Sequence, residues 1–210
     1  MRRLIVFLFG STVLLAQPIS IGVKGGVPLT DLIDTASGTN AKLNSETKRY
    51  IAGATAELRL PAGFGVEVDA LFRRFHYDSN TTLLGAAANI FTKGNEWEFP
   101  VLVKKRFGGE LVRPYVAAGV SFNRISGLTQ SVSTLVNAVT TTSSPGELKD
   151  DLSTGIVIGG GLEIRALLLK ISPEIRYTRW GKRHFSAIFA PGATLNSNLN
   201  QAEFLVGITF

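Results

Sequence analysis

Acids and bases in this sequence fall at every second position inside stretches that are otherwise apolar. The acids are Glu57, Glu67, Asp69, Glu98, Glu163, Glu174 and Glu203; the bases are Lys24, Arg59, Arg73, Lys104, Arg106, Arg113, Arg165 and Arg176. Guanidinium and carboxylate groups form strong charge-assisted bonds where water is scarce. Brought together, these residues can make a polar core, or line a narrow path that opens when pairs exchange. A second candidate is "RHFS", which sets His184 and Ser186 two residues apart. A serine activated by an imidazole is a hydrolytic nucleophile, but a carboxylate must orient the imidazole, and none stands beside this pair. His76, near Asp78 and Ser79, reads as a polar residue closing a strand. With 2 histidines and no cysteine, the sequence offers no His-rich or thiolate metal site and no cysteine nucleophile. The glycines of "GVKGGV" and "IGGGLE" lie in extended patterns with no helix following, so they are not phosphate cradles. No catalytic residue, cofactor or metal is expected.

The elements that position the charged set follow from its period of two, which belongs to strands and not to helices. About eight strands are expected, near residues 18–27, 49–60, 64–76, 95–107, 112–124, 153–165, 168–180 and 199–210. Short turns follow the second ("PAGFG"), fourth ("GGELVR") and sixth ("RALLL"). Long polar loops follow the first (28–48), third (77–94), fifth (125–152) and seventh (181–198), rich in Ser, Thr, Asn and Gly. Strict short-long alternation predicts an up-and-down antiparallel barrel whose two ends meet different surroundings.

Opposite the charges stands an apolar set that includes Phe64, Val66, Val68, Phe72, Trp97, Phe99, Val101, Val103, Val116, Val120, Phe122, Ile156, Ile158 and Ile175. A soluble lipocalin-like carrier would turn this set inward; a transmembrane barrel would turn it to lipid. Three features favour the membrane. Glycines on the charged face (Gly53, Gly65, Gly119, Gly159, Gly161, Gly207) make room in a narrow lumen. The acids and bases on that face nearly cancel, as an enclosed space requires. Aromatic residues flank the apolar band, as interfacial girdles do. Lys105 falls on the lipid side beside a short turn, where its stem can snorkel. Since every backbone group in hydrocarbon must be paired, the last strand, "NQAEFLVGITF", is expected to zip to the first, "PISIGVKGGV". Pro100 and Pro173 inside predicted strands each remove a ladder bond, and a local bulge is expected at each.

Residues 1–16 read as a secretory signal peptide: Arg2 and Arg3, an apolar run from Leu4 to Leu15, and Ala16 at the cut. The remainder, 17–210, is expected to be one barrel domain. Composition agrees, with 45% hydrophobic residues, 18% charged and a mean hydropathy of +0.20. Losing Arg2 and Arg3 lowers the net charge from +6 to +4, which leaves the pI of 9.8 a weak sign of nucleic acid, and none is expected as a partner.

"NEWEFPVLVKKRF" leading into "VRPYVAAGVSF", "GGGLEIR" followed by "ISPEIRYTRW", and the closing "EFLVGITF" together resemble a known family. It is that of the small outer-membrane protein β-barrel domains of Gram-negative-type bacteria, similar to the transmembrane domain of OmpA. The resemblance implies an all-β, eight-stranded antiparallel up-and-down transmembrane β-barrel in the outer membrane. It also implies outer-membrane lipid and the barrel-assembly machinery as partners, with Phe210 as the terminal aromatic presented to that machinery. A monomer is expected, and no surface ligand can be named. The family spans structural proteins, adhesins and small-solute channels, so activity does not follow from fold. The expected role is non-enzymatic, structural or in surface interaction, with a largely plugged interior. The alternatives are a narrow small-solute channel, the soluble carrier, and a lipid A-modifying hydrolase; the last rests on the similarity of His184-x-Ser186 to part of the site of outer-membrane lipid A deacylases.

Overall fold

A strand that alternates oily and charged side chains must divide two environments, and a computed structural model shows which lies on each side. It describes residues 19–31, 33–36, 42–47, 50–83, 86–134, 138–141, 152–166, 168–182, 186–190 and 193–210. The expected signal peptide at 1–16 lies outside the described residues. The strands in chain order are β1 (Ile19–Pro28), β2 (Ile33–Ala36), β3 (Lys42–Thr47), β4 (Ile51–Arg59), β5 (Phe64–Leu83), β6 (Ala86–Arg106) and β7 (Val112–Thr134). They continue with β8 (Ala138–Thr141), β9 (Leu152–Ala166), β10 (Leu169–Trp180), β11 (Ser186–Ala190), β12 (Ala193–Ser197) and β13 (Asn200–Thr209).

Eight of these close into an antiparallel cylinder in the order β1-β4-β5-β6-β7-β9-β10-β13, with β13 returning to β1. The seam pairs Lys24 with Gly207 and Val27 with Phe204. It ends where the Phe210 N–H donates to the Ile21 carbonyl at 3.0 Å. Closure leaves the spanning wall without an edge, as a sheet in hydrocarbon must be.

The sides are unambiguous. Val103 and Ile156 are 53% and 68% exposed on the outer wall, whereas Glu163 and Arg176 are 2% and 1% exposed inside. A soluble carrier needs the reverse arrangement, so that alternative fails. An oily exterior this continuous belongs against lipid.

Three expectations need correction. First, β5, β6 and β7 run for 20, 21 and 23 residues, although about 9–11 suffice to cross a bilayer. Much of the supposed polar loops is therefore paired strand: β3 continues the sheet on β5, β8 on β7, and β11-β12-β2 form a separate small sheet. The sequence does not alternate there, so its pattern gives no sign of these strands.

Second, the prolines do not bulge. Val68 pairs with Val101 and Leu71 with Glu98, so the β5–β6 register is the same on both sides of Pro100. Likewise Ile171 pairs with Ile164 and Glu174 with Gly161 across Pro173. Each proline opens a gap in one ladder while the ladder on its other flank runs on, through Ser121 for Pro100 and Val206 for Pro173.

Third, the lumen glycines serve two purposes. A Cβ on Gly65 would meet Glu57 Oε1 at 2.5 Å, which is the expected room for an ion pair. On Gly119 it would lie 2.0 Å from the Val101 carbonyl oxygen, so there the glycine admits a neighbouring backbone. Gly119→Ala is expected to cost about 1–3 kcal/mol as an overpacking change. Gly207→Ala, whose added carbon would meet Lys24 Cε at 3.6 Å, should cost little. The fraction of the heat-modifiable, folded band across a urea series in detergent checks both; equal behaviour would refute the close-approach argument.

Candidate functional site in the barrel lumen

The inward face carries charge in three layers, separated in part by apolar side chains. Nearest the short turns, Arg106 of β6 reaches two strands at once: Nε donates to Glu163 Oε2 at 2.8 Å and Nη2 to Glu57 Oε2 at 2.5 Å. Arg59 Nη2 joins the same Glu163 oxygen at 2.7 Å.

The central layer draws on five strands. Lys24 Nζ on β1 donates to Glu67 at 2.8 Å, Asp69 at 3.0 Å and Glu174 at 3.2 Å. Arg176 Nη2 on β10 donates to Asp69 at 2.8 Å and Glu174 at 2.6 Å. Lys104 bonds Glu67 from β6 and lies 4.5 Å from the centroid of the Tyr115 ring, whose hydroxyl donates to Glu174 at 2.7 Å. Three cations thus face three carboxylates, all buried. Oxygens of Glu67, Asp69 and Glu174 come within 4.8 Å of one another, a spacing that suits a divalent cation. The Lys24 ammonium already donates to all three, so this set is neutralised by the chain itself.

Above it, Arg73 on β5 forks onto Glu96, with Nη2 at 2.9 Å from Oε1. Its Nη1 donates to Glu203 at 3.0 Å, and Nη2 also to Gln201 at 2.6 Å. Asn123 donates to Glu96, and Ser121 Oγ to Glu98 at 2.8 Å. Two buried apolar clusters, Ile51-Leu71-Leu205 and Leu102-Ala117-Val157, stand among these charged groups; Leu102 pairs with Glu67 and Leu71 with Glu98.

Most of the predicted charged residues therefore meet in the lumen, and two do not enter it fully. The Arg165 side chain is 40% exposed and stands 3.9 Å from Glu163. Arg113 departs from the expected network altogether: it follows the turn after β6, and its Nε folds back to donate to the Gly109 carbonyl at 2.8 Å. Its register partner Glu163 is already claimed by Arg59 and Arg106, so the rim contact wins.

Sequence reasoning missed Glu96, Tyr115, Ser121, Asn123 and Gln201, and also the buried leucines 71, 102 and 205. Parity would have found them, since each lies an even number of positions from a named lumen residue on its own strand. Of the hydrolytic pair, His184 lies outside the described residues, and only the place of Ser186 at the start of β11 is described. His76 sits opposite Lys93 on β6 and Glu46 on β3. Phe210 is 68% exposed at the turn end of the seam.

An eight-stranded barrel leaves an interior just wide enough for side chains, and these side chains occupy it. Bonds that span four or five strands tie the wall together from within. The apolar clusters set among the ion pairs also oppose the passage of water and ions.

Comparison with known proteins gives the family. A family model described as "Outer membrane protein beta-barrel domain" matches residues 15–181. Among solved structures, Neisserial surface protein A (NspA) is 13% identical, with 91% of this chain and 95% of that one covered and a TM-score of 0.43. Ail, the attachment invasion locus protein of Yersinia pestis, solved with the heparin analogue sucrose octasulfate, is 10% identical over 91% and 99%, TM-score 0.40. The N-terminal β-barrel domain of Pseudomonas aeruginosa OprF is 13% identical over 92% and 99%, TM-score 0.38. No curated protein sequence matches the chain.

Proposed function

Given that the chain belongs to the outer membrane protein β-barrel domain family, we propose that it is a plugged, non-enzymatic barrel with a structural or surface-interaction role. It is a protein of the outer membrane, and its fold is the closed cylinder described above. The observation that carries the proposal is the filled lumen: Lys24, Lys104 and Arg176 locked against Glu67, Asp69 and Glu174, with Leu71, Leu102 and Leu205 buried beside them. A pore needs ligands weak enough to exchange and a wetted path; multidentate, mutually neutralising pairs packed with buried leucines supply neither. The wall then gives the envelope a rigid insert, and the extended ends of β5, β6 and β7 carry the surface that other molecules meet.

The full chain in planar lipid bilayers tests this reading. Electrical silence at high protein load is expected. Discrete conductance steps whose size changes in Arg176→Ala would replace the plug by a narrow small-solute channel.

A further inference from the structure

Opposite the short turns, the outer wall carries three cations close together on the neighbouring strands β5, β6 and β7. The outward series includes Phe72 and Arg74 on β5 and Phe122 and Arg124 on β7; on β6 it runs upward through Phe99 and Trp97 to Asn95 and Lys93. Phe72 pairs with Trp97, Trp97 with Arg124, and Arg74 with Asn95, so the three strands bring these groups into one patch. Arg74, Lys93 and Arg124 are exposed, and among the described residues none of them has a carboxylate within ion-pair distance. Arg74 lies 5.9 Å from the centroid of the Phe72 ring. A cleft of about 540 Å³ opens at the same level, lined by Arg74, His76, Lys93, Asn95 and Gly127.

Depth identifies what meets the patch. Between Asn95 and Lys105 the outward face of β6 is Trp97, Phe99, Val101 and Val103. That stretch rises about 33 Å along the strand, or about 25 Å in height at a tilt of about 40°. This is the thickness of the apolar band, so Arg74, Lys93 and Arg124 stand at the headgroup plane opposite the short turns. Among the described residues, outward positions elsewhere near this height include Leu152 and Thr154 on β9, Val27 on β1, and Ala52 on β4 with Tyr50 just before it. Arg179 on β10 is engaged with Asn200 Oδ1 at 3.0 Å.

We propose that this β5–β7 sector is a binding site for the phosphorylated headgroup of an outer-leaflet lipid, with the acyl chains lying on Phe72, Trp97, Phe99 and Phe122. Guanidinium groups grip phosphate as a bidentate fork, and Lys93 adds a point charge. The inference rests on the membrane location and is independent of whether the lumen conducts.

The test uses the full chain folded into detergent micelles doped with bis-phosphorylated lipid A, or with the same lipid after enzymatic removal of its phosphates. Native mass spectrometry reads the lipid retained. Retention of the phosphorylated form is expected, falling about tenfold to a hundredfold in the Arg74→Ala, Lys93→Ala, Arg124→Ala triple variant and unchanged in Arg179→Ala. A heat-modifiable band certifies that each variant is folded. Should the triple variant misfold, retention by the unaltered protein across a salt series takes its place, and a fall with salt is expected. Equal retention of the phosphate-free lipid, indifference to salt, or full retention by the folded triple variant overturns the site.

Discussion

Arg73→Met is expected to abolish the folded, heat-modifiable barrel at urea concentrations that the unaltered protein withstands, a loss of more than about 4 kcal/mol. The reason is a count of charges within one layer. Glu96, Glu98 and Glu203 are all buried there, and Arg73 is the cation of that layer, forked onto Glu96 and bonded to Glu203 at 3.0 Å. Methionine fills much of the arginine's volume, so little cavity forms. What remains is carboxylate without a counter-charge, and breaking a buried pair by removing one partner costs far more than the pair contributes. Pairing Arg73→Met with Glu96→Gln should return a large part of the loss, because the amide needs no cation. If the double variant is no more stable than the single one, the effect is packing and not charge.

Arg176→Met is expected to cost about 3–5 kcal/mol, a smaller effect than at Arg73. Its guanidinium bonds Asp69 at 2.8 Å and Glu174 at 2.6 Å, yet Lys24 also reaches both, and Lys104 lies 3.8 Å from Glu174. The central layer keeps two cations; the upper layer would keep none of its own. Urea unfolding in lipid vesicles, followed by the fluorescence of Trp97 and Trp180, ranks the two variants. A greater loss at Arg176 than at Arg73 would overturn this ranking by the cations left in each layer. Asp69→Asn added to Arg176→Met should be milder than the summed single effects, since the two groups are in contact.

How much of this could be read beforehand varies along the chain for a physical reason. Where a strand divides lipid from lumen, Val101 and Val103 must face one way and Leu102 and Lys104 the other, so the eight spanning segments and their two faces were legible from alternation, while which face meets lipid followed from the glycines, the charge balance and the aromatic girdles. Beyond the bilayer that constraint lapses. Residues 77–83 and 86–94 alternate nothing and look like loop, yet pairing with each other extends β5 and β6. The charge layers were legible as a set but not as layers, because sequence gives parity and not height. Glu96 shows the cost: it shares parity with Glu98, but it sat beside the expected strand start and was passed over. Pro100 misled in the other direction. A missing N–H implied a distorted strand, whereas the continuous ladder with β7 holds the register through it.

The seam between β1 and β13 has a kinetic consequence. Gly22 to Pro28 must find Glu203 to Thr209 from the far end of the sequence, which is the costliest loop closure among the barrel's strand pairings. Until it forms, two bare margins stand open to any stray strand; once it forms, no margin remains at which unravelling can start. Assembly and disassembly should therefore follow different curves, with refolding midpoints at lower urea than unfolding midpoints and a gap that narrows only with long incubation.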